Sequence, residues 1–273
     1  MYTARIADTE IAYEDRGEGP ALLLVHGHPF DHTMWQPQID RFSRTHRVIA
    51  PDLRGYGRTP LGAKPDATAP RRTLLGDFAE DLVALADRLE VDGFVLAGLS
   101  MGGQIAMELY RRHPGRVRGL VLADTFPAAE TEDGRSTRNA MADRLLAGGA
   151  EAMREYADEV LDRMVAPYNT HAAPHVHRMM RSSDPAGAAA ALRGRAERPD
   201  YRELLTTVSV PALVVVGRDD SYTPVADAEG MHALLPDSTL AVIERAAHLP
   251  NLERTEEFDA VLESYLRSLV RLN

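Results

Sequence analysis

The 273-residue chain contains no cysteine, which excludes disulfides, zinc–thiolate centres and a cysteine nucleophile. No apolar run approaches the ~18 residues of a membrane span, and the opening residues, Met1 to Asp8, lack an apolar core of signal-peptide length. Basic residues do not cluster. Arg71-Arg72 and Arg111-Arg112 are isolated pairs in a chain of formal charge −10, so neither nucleic acid nor an anionic membrane is expected as a partner. Internal repeats and low-complexity linkers are missing too. What remains is the expectation of a cytoplasmic globular protein, with 44% hydrophobic and 26% charged residues, built as one large domain or a domain with an insert. Nothing in the chain points to a particular oligomeric state.

Among what is present, apolar runs and helical periodicity alternate. Ala4 to Glu14 reads as an antiparallel strand pair at a sheet edge, with Arg16-Gly-Glu-Gly-Pro20 as a turn. Ala21–Val25, Val48–Ala50, Gly93–Ala97, Gly119–Ala123, Pro211–Gly217 and Leu240–Ile243 are short runs of the kind buried on both faces of a parallel sheet. Leu74 to Leu89 and Glu257 to Leu269 carry apolar residues at three- and four-residue spacing, which predicts amphipathic helices. Residues 128–205 differ: they are rich in Ala, Arg, Met and Asp, with helical stretches at Thr137–Leu146 and Glu151–Met164 and no strand-like run. The expected class is therefore α/β, a mostly parallel central sheet flanked by helices. Residues 1–127 and 206–273 form the core, and 128–205 form a helical cap insert.

One stretch stands out, Val95-Leu-Ala-Gly-Leu-Ser-Met-Gly-Gly-Gln104. A strand running into Gly98-x-Ser100-x-Gly102 and then into a helix forces Ser100 onto a tight, strained turn where its neighbours must be small. The following helix aims backbone N–H groups and the positive end of its dipole at whatever binds there, a place to hold an oxyanion. The other unusual clusters also fall at strand carboxyl ends: His26-Gly27-His28-Pro29, Asp52 to Gly57, Asp124, Asp219-Asp220 and His248.

The pieces HGHP, PDLRGYG, GLSMGG, GRDDSYTP and ERAAHLPNLE, in that order, resemble the α/β-hydrolase superfamily, and specifically its bacterial carboxylesterases, cofactor-free haloperoxidases and 3-oxoadipate enol-lactonases. The resemblance implies a metal-free, cofactor-free serine hydrolase acting on a small-molecule ester, lactone or thioester through an acyl-enzyme. It implies Ser100 as nucleophile, His248 as base, and Asp220 as the orienting acid, four residues before Pro224. Asp219 is the neighbouring alternative, and Asp124 occupies a position that carries the acid in some members. Backbone N–H groups of Met101 and His28 are implied as the oxyanion hole. Carbon–carbon bond hydrolases, cofactor-independent dioxygenases and lyases share these motifs, and a binding protein without turnover is a further alternative. A serine nucleophile argues against the dehalogenase and epoxide hydrolase branches, which use a carboxylate there.

Other residues are expected to be structural. The His28 imidazole is read as facing solvent, His26 as knitting loop backbone, Arg54 as bracing the loop beneath the nucleophile, and Asp124 as a turn or pocket-mouth residue. His171, His175 and His177 have spacing reminiscent of a metal site, but Pro174 is expected to interrupt any helix and no carboxylate partner is evident nearby, so no metal is expected. Met141, Met153, Met164, Met179 and Met180 suit either a greasy pocket roof or core packing.

Overall fold

The apolar runs become the inner strands of an eight-stranded sheet in the computed structural model, which describes residues 1–63 and 70–270. The strands are β1 (Tyr2–Ile6), β2 (Thr9–Arg16), β3 (Ala21–Val25), β4 (Arg47–Pro51), β5 (Phe94–Leu99), β6 (Val117–Ala123), β7 (Ala212–Gly217) and β8 (Ser238–Ile243). Their order is β1-β2-β4-β3-β5-β6-β7-β8. β2 pairs antiparallel with β1 and with β4, and every other pairing is parallel. This is the expected mostly parallel sheet with an antiparallel edge.

Side chains alternate across the strands, so one run feeds two cores. Leu23, Val25, Leu96, Leu120, Leu122, Val214 and Val216 face α2 (Leu75–Arg88), α3 (Met101–Arg112) and α8 (Val225–Leu234), meeting Phe78, Leu82, Ile105 and Met231. Leu22, Leu24, Val95, Ala97, Val121, Leu213 and Val215 face the other way. They meet Trp35, Ile39, Phe258 and Leu262, the last three carried by α1 (Gln36–Phe42) and α10 (Thr255–Val270). Burial on both faces explains why these strands read as unbroken apolar runs. Truncating any one of these leucines to alanine would cost about 2–5 kcal/mol.

Between β6 and β7 the chain is helical: α4 (Glu132–Met164), α5 (Ala173–Ser182), α6 (Pro185–Arg195) and α7 (Arg202–Leu205). The two expected helices over 137–146 and 151–164 are one run with a break at Gly149 (φ 58°, ψ −139°). Pro174 does not interrupt a helix, contrary to expectation. It lies in the first turn of α5, where a residue without an N–H loses nothing because that donor has no intrahelical partner. Met153, Met164, Met179 and Met180 are buried in core clusters. A short helix, α9 (Pro250–Glu253), precedes α10, and among the described residues no helix is long and apolar enough to cross a membrane.

Candidate active site

The turn after β5 is built as its glycines require. Ser100 sits at φ 57°, ψ −116°, its amide donating to the Ala123 carbonyl (2.9 Å) and its carbonyl accepting from the Thr125 hydroxyl (2.8 Å). A Cβ on Gly98 would lie 2.1 Å from the Gly102 carbonyl oxygen, and one on Gly102 would lie 2.2 Å from that of Val25. Backbone thus passes where a side chain would be, and only glycine fits. Ser100 is 8% exposed, and its Oγ has no hydrogen-bond partner among the described residues.

The HGHP loop crosses over this serine. A Cβ on Gly27 would come 3.2 Å from the Ser100 Cβ, so the backbone leading into His28 runs beside the hydroxyl. Among the described residues neither the His28 amide nor the Met101 amide donates a hydrogen bond to protein. The His28 ring is not solvent-facing, as expected from sequence, but 3% exposed, with Nδ1 2.7 Å from the Tyr56 hydroxyl. Tyr56 comes from the PDLRGYG loop, whose aromatic residue gives the imidazole a polar partner away from water. Burial first, then the positive charges of Arg195 and Arg138, push this imidazole well below its usual range, so it is neutral. His26 does knit backbone: its Nε2 accepts the Leu53 amide (3.0 Å), leaving Nδ1–H to donate to the Gly27 carbonyl (2.8 Å).

The loop after β7 brings Asp220 to His248. Asp220 Oδ2 and His248 Nδ1 are 2.7 Å apart, and both residues are buried. The carboxylate also accepts from the Thr223 hydroxyl and from the Tyr222 amide (2.8 Å). Burial alone would raise Asp220, but His248 and these donors outweigh it and hold the carboxyl below its usual range. Asp219 points elsewhere, its carboxylate accepting from the Tyr168 hydroxyl.

Asp124 departs from expectation. It is not at a pocket mouth but completely buried, at φ 44°, with Oδ1 accepting the Gly217 amide (2.9 Å). Burial and then the neighbouring Asp220 charge raise its carboxyl well above the usual range, which favours its neutral form. Arg54 also differs. It pairs with Asp81 of α2 (2.7 Å) and Asp8 of the β1–β2 turn (2.5 Å), bracing the sheet edge and not the serine turn.

Sequence reading missed Glu253, inside the ERAAHLPNLE match. Its buried carboxylate accepts the amides of Ala247 (2.9 Å) and Leu249 (3.1 Å) with one oxygen, and the Ala166 amide and Asn169 side chain (2.8 Å each) with the other. It also missed Arg195, which no motif marks and which reaches Gln104 Oε1 with Nε (3.2 Å). Among the described residues two groups of side chains have donor atoms close enough to meet on one ion, Asp31–His32–Asp52 and Asp124–Asp220–His248. In the first, Asp52 already accepts the amides of His32 and Arg58 and the His32 ring. His171, His175 and His177 form no such group among the described residues: His177 pairs with Asp158 (2.6 Å) and the His175 ring with the Thr33 carbonyl (3.1 Å). The carboxylate not evident from sequence comes from α4.

Comparison with known proteins agrees with this architecture. A 3-oxoadipate enol-lactonase of Acinetobacter baylyi is 28% identical over 251 residues, 92% of this chain and 90% of its own. A pimeloyl-[acyl-carrier protein] methyl ester esterase of Neisseria meningitidis is 30% identical over 270 residues, covering 91% of this chain and 94% of the relative. The structure of a thermophilic esterase from Thermogutta terrifontis, solved with malate bound, matches with a TM-score of 0.92 at 33% identity, covering 98% of this chain and 99% of that one. The sequence model of the α/β hydrolase family matches residues 22–261. With its strained serine turn at the centre of a mostly parallel eight-stranded sheet, the chain belongs to the α/β hydrolase family.

Proposed function

We propose that this chain is a serine hydrolase of carboxylic esters or lactones, with Ser100 as nucleophile, His248 as base and Asp220 as the acid that orients it. The observation that carries the reading is the buried 2.7 Å pair between Asp220 and His248 Nδ1, beside the serine turn. Asp220 is preferred over Asp219, which is turned to Tyr168, and over Asp124, whose carboxyl accepts the Gly217 amide and is raised well above its usual range by burial.

The chemistry follows from these assignments. With Nδ1–H donated to Asp220, His248 holds its lone pair on Nε2 and takes the Ser100 proton as Oγ attacks the carbonyl. The negative charge moves to the carbonyl oxygen, where the His28 and Met101 amides and the N-terminus of α3 stabilise it. Collapse expels the alcohol, protonated by His248, and leaves an ester on Ser100. Water, deprotonated by the same ring, repeats the sequence and releases the acid. The enol-lactonase and esterase names of the relatives support this reaction class.

We assign residues 128–205 as a cap that selects the substrate. Two contacts support this: α4 brings Tyr156 to the His28 ring (centroids 6.2 Å), and α6 brings Arg195 to Gln104 of α3. The test is hydrolysis of p-nitrophenyl esters from acetate to laurate, with simple lactones, by wild type and Ser100→Ala. Turnover lost in the variant supports the reading. No turnover in the wild type, or turnover that survives the substitution, overturns it.

A further inference from the structure

The helices between β6 and β7, with the segment that follows α6, bury two arginines, and only one of them is compensated. Arg198 lies 3.4 Å from Glu130 and stacks its guanidinium on the Phe126 ring (4.5 Å). Arg195, 7% exposed, has neither kind of partner. Its hydrogen bond goes to a neutral amide, Gln104, and among the described residues it forms no ion pair with any Asp or Glu. Both terminal nitrogens of Arg198 are sealed from solvent; those of Arg195 are not. Burial, and then the charges of Arg138 and Arg198, push the Arg195 guanidinium well below its usual value. A guanidinium nevertheless keeps its proton in a protein, so this is a buried cation without a counter-ion. In a chain with 41 acidic residues against 31 basic ones, no acid has been placed here. A bare charge of this kind is strongly unfavourable unless an anion arrives to complete it.

Its position says where that anion comes from. Gln104 lies one helical turn beyond Ser100 on the same face of α3, and its amide donates to the Ser100 carbonyl (3.2 Å). Through Gln104 the guanidinium is tied to the helix that opens at Ser100, and from the same group of helices Tyr156 meets the His28 ring of the oxyanion loop (centroids 6.2 Å). Neither Gln104 nor Tyr156 is acidic.

We propose that Arg195 binds an ionised carboxylate on the substrate, so that the ester or lactone turned over here is itself an acid, with its reacting carbonyl at Ser100 and its remote carboxylate on the guanidinium. The assignment rests on the serine-hydrolase reading. The planar fork of the guanidinium matches a carboxylate through two parallel N–H···O bonds. One helical turn, about 5.4 Å, plus side-chain reach separates the two anchor points, which calls for a spacer of several methylenes.

The experiment compares two series on the intact chain by pH-stat: monoethyl esters of straight-chain dicarboxylic acids from glutarate to suberate, and ethyl alkanoates of matching length. Wild type is expected to favour the acidic series in kcat/KM on the order of tenfold or more, with an optimum at one length. Arg195→Met is expected to reduce that ratio by about the same factor through KM, while Arg195→Lys retains part of it. A wild-type preference for the neutral series at every length overturns the proposal, as does an unchanged ratio in folded Arg195→Met. If that variant does not fold, competition of the wild-type reaction by free dicarboxylates decides: inhibition that peaks at one chain length supports the site, and inhibition indifferent to length or absent overturns it. Failure of the parent reading looks different, since neither series would be turned over, or turnover would survive Ser100→Ala.

Discussion

Glu253 holds both chain neighbours of His248, accepting the backbone amides of Ala247 and Leu249 with one carboxylate oxygen. Its other oxygen holds Ala166 and Asn169 in the segment that follows α4, so one buried side chain fixes both the histidine loop and that segment. Glu253→Gln leaves a single acceptor oxygen for four donors. The expected result is a kcat about tenfold lower, with little change in KM, and a loss of roughly 2–4 kcal/mol in stability. Steady-state kinetics beside urea denaturation checks both, and equal effects on KM and kcat would argue against a role through His248.

Substituting the two neighbouring aspartates separates their roles. Burial, and then the Asp220 charge, raise the Asp124 carboxyl well above its usual range and favour its neutral form, so Asp124→Asn is a mild replacement of nearly the same shape. Activity within a few-fold of wild type is expected. Asp220→Asn removes the charge that fixes the His248 tautomer, and a fall in kcat of about 10⁴-fold is expected. The reverse ranking would move the acid to Asp124.

Asp259, in α10, gives a stability profile with a definite sign. Burial raises its carboxyl to about 6, although Gln38 donates to it at 2.8 Å. Below pH ~4 it is protonated in both folded and unfolded chains; from there up to about 6 the unfolded chain has lost its proton while the folded chain still holds one, so stability falls as pH rises. Asp259→Asn removes that penalty. The variant is expected to exceed wild type by roughly 1–3 kcal/mol at pH 7–8 and to converge with it below pH ~4. Thermal unfolding at a series of pH values checks this, and a difference independent of pH would place the effect in packing.

Gly102→Ala would drive a Cβ to within 2.2 Å of the Val25 carbonyl oxygen, in the middle of the sheet. A loss of about 3 kcal/mol or more is expected, with Ser100 displaced from its strained conformation. Circular dichroism and reaction with an active-site fluorophosphonate probe measure the two consequences separately.

What was legible in the sequence was what local chemistry dictates. β3, β5, β7 and the Gly119–Ala123 stretch of β6 lie in the interior of the sheet, so their residues had to be apolar without interruption, and the glycines around Ser100 answer to backbone contacts four or five residues away in the chain or on the next strand. What was hidden depends on distant partners. His28 is taken out of water beside Tyr56, the Asp124 carboxyl is raised by burial and then by a charge some hundred positions away, and Arg195 is conspicuous only because, among the described residues, no acid pairs with it. α6 escaped detail because Ala, Gly and Arg carry no periodic apolar stripe; its buried face is made of alanines. Pro174 misled because a proline ends a helix from within but is tolerated at its start.

α6 meets the loop that follows β4 at a point with no side chains between them. A Cβ on Gly187 of α6 would fall 1.8 Å from the Gly55 carbonyl oxygen, and one on Gly55 would fall 2.7 Å from the Gly187 Cα. For anyone exchanging the helices between β6 and β7 among relatives, this contact sets a compatibility rule: a donor segment seats at its native height on the sheet only if glycine stands at both places. A graft that brings a larger residue to either would push α6, and Arg195 with it, away from the loop after β4.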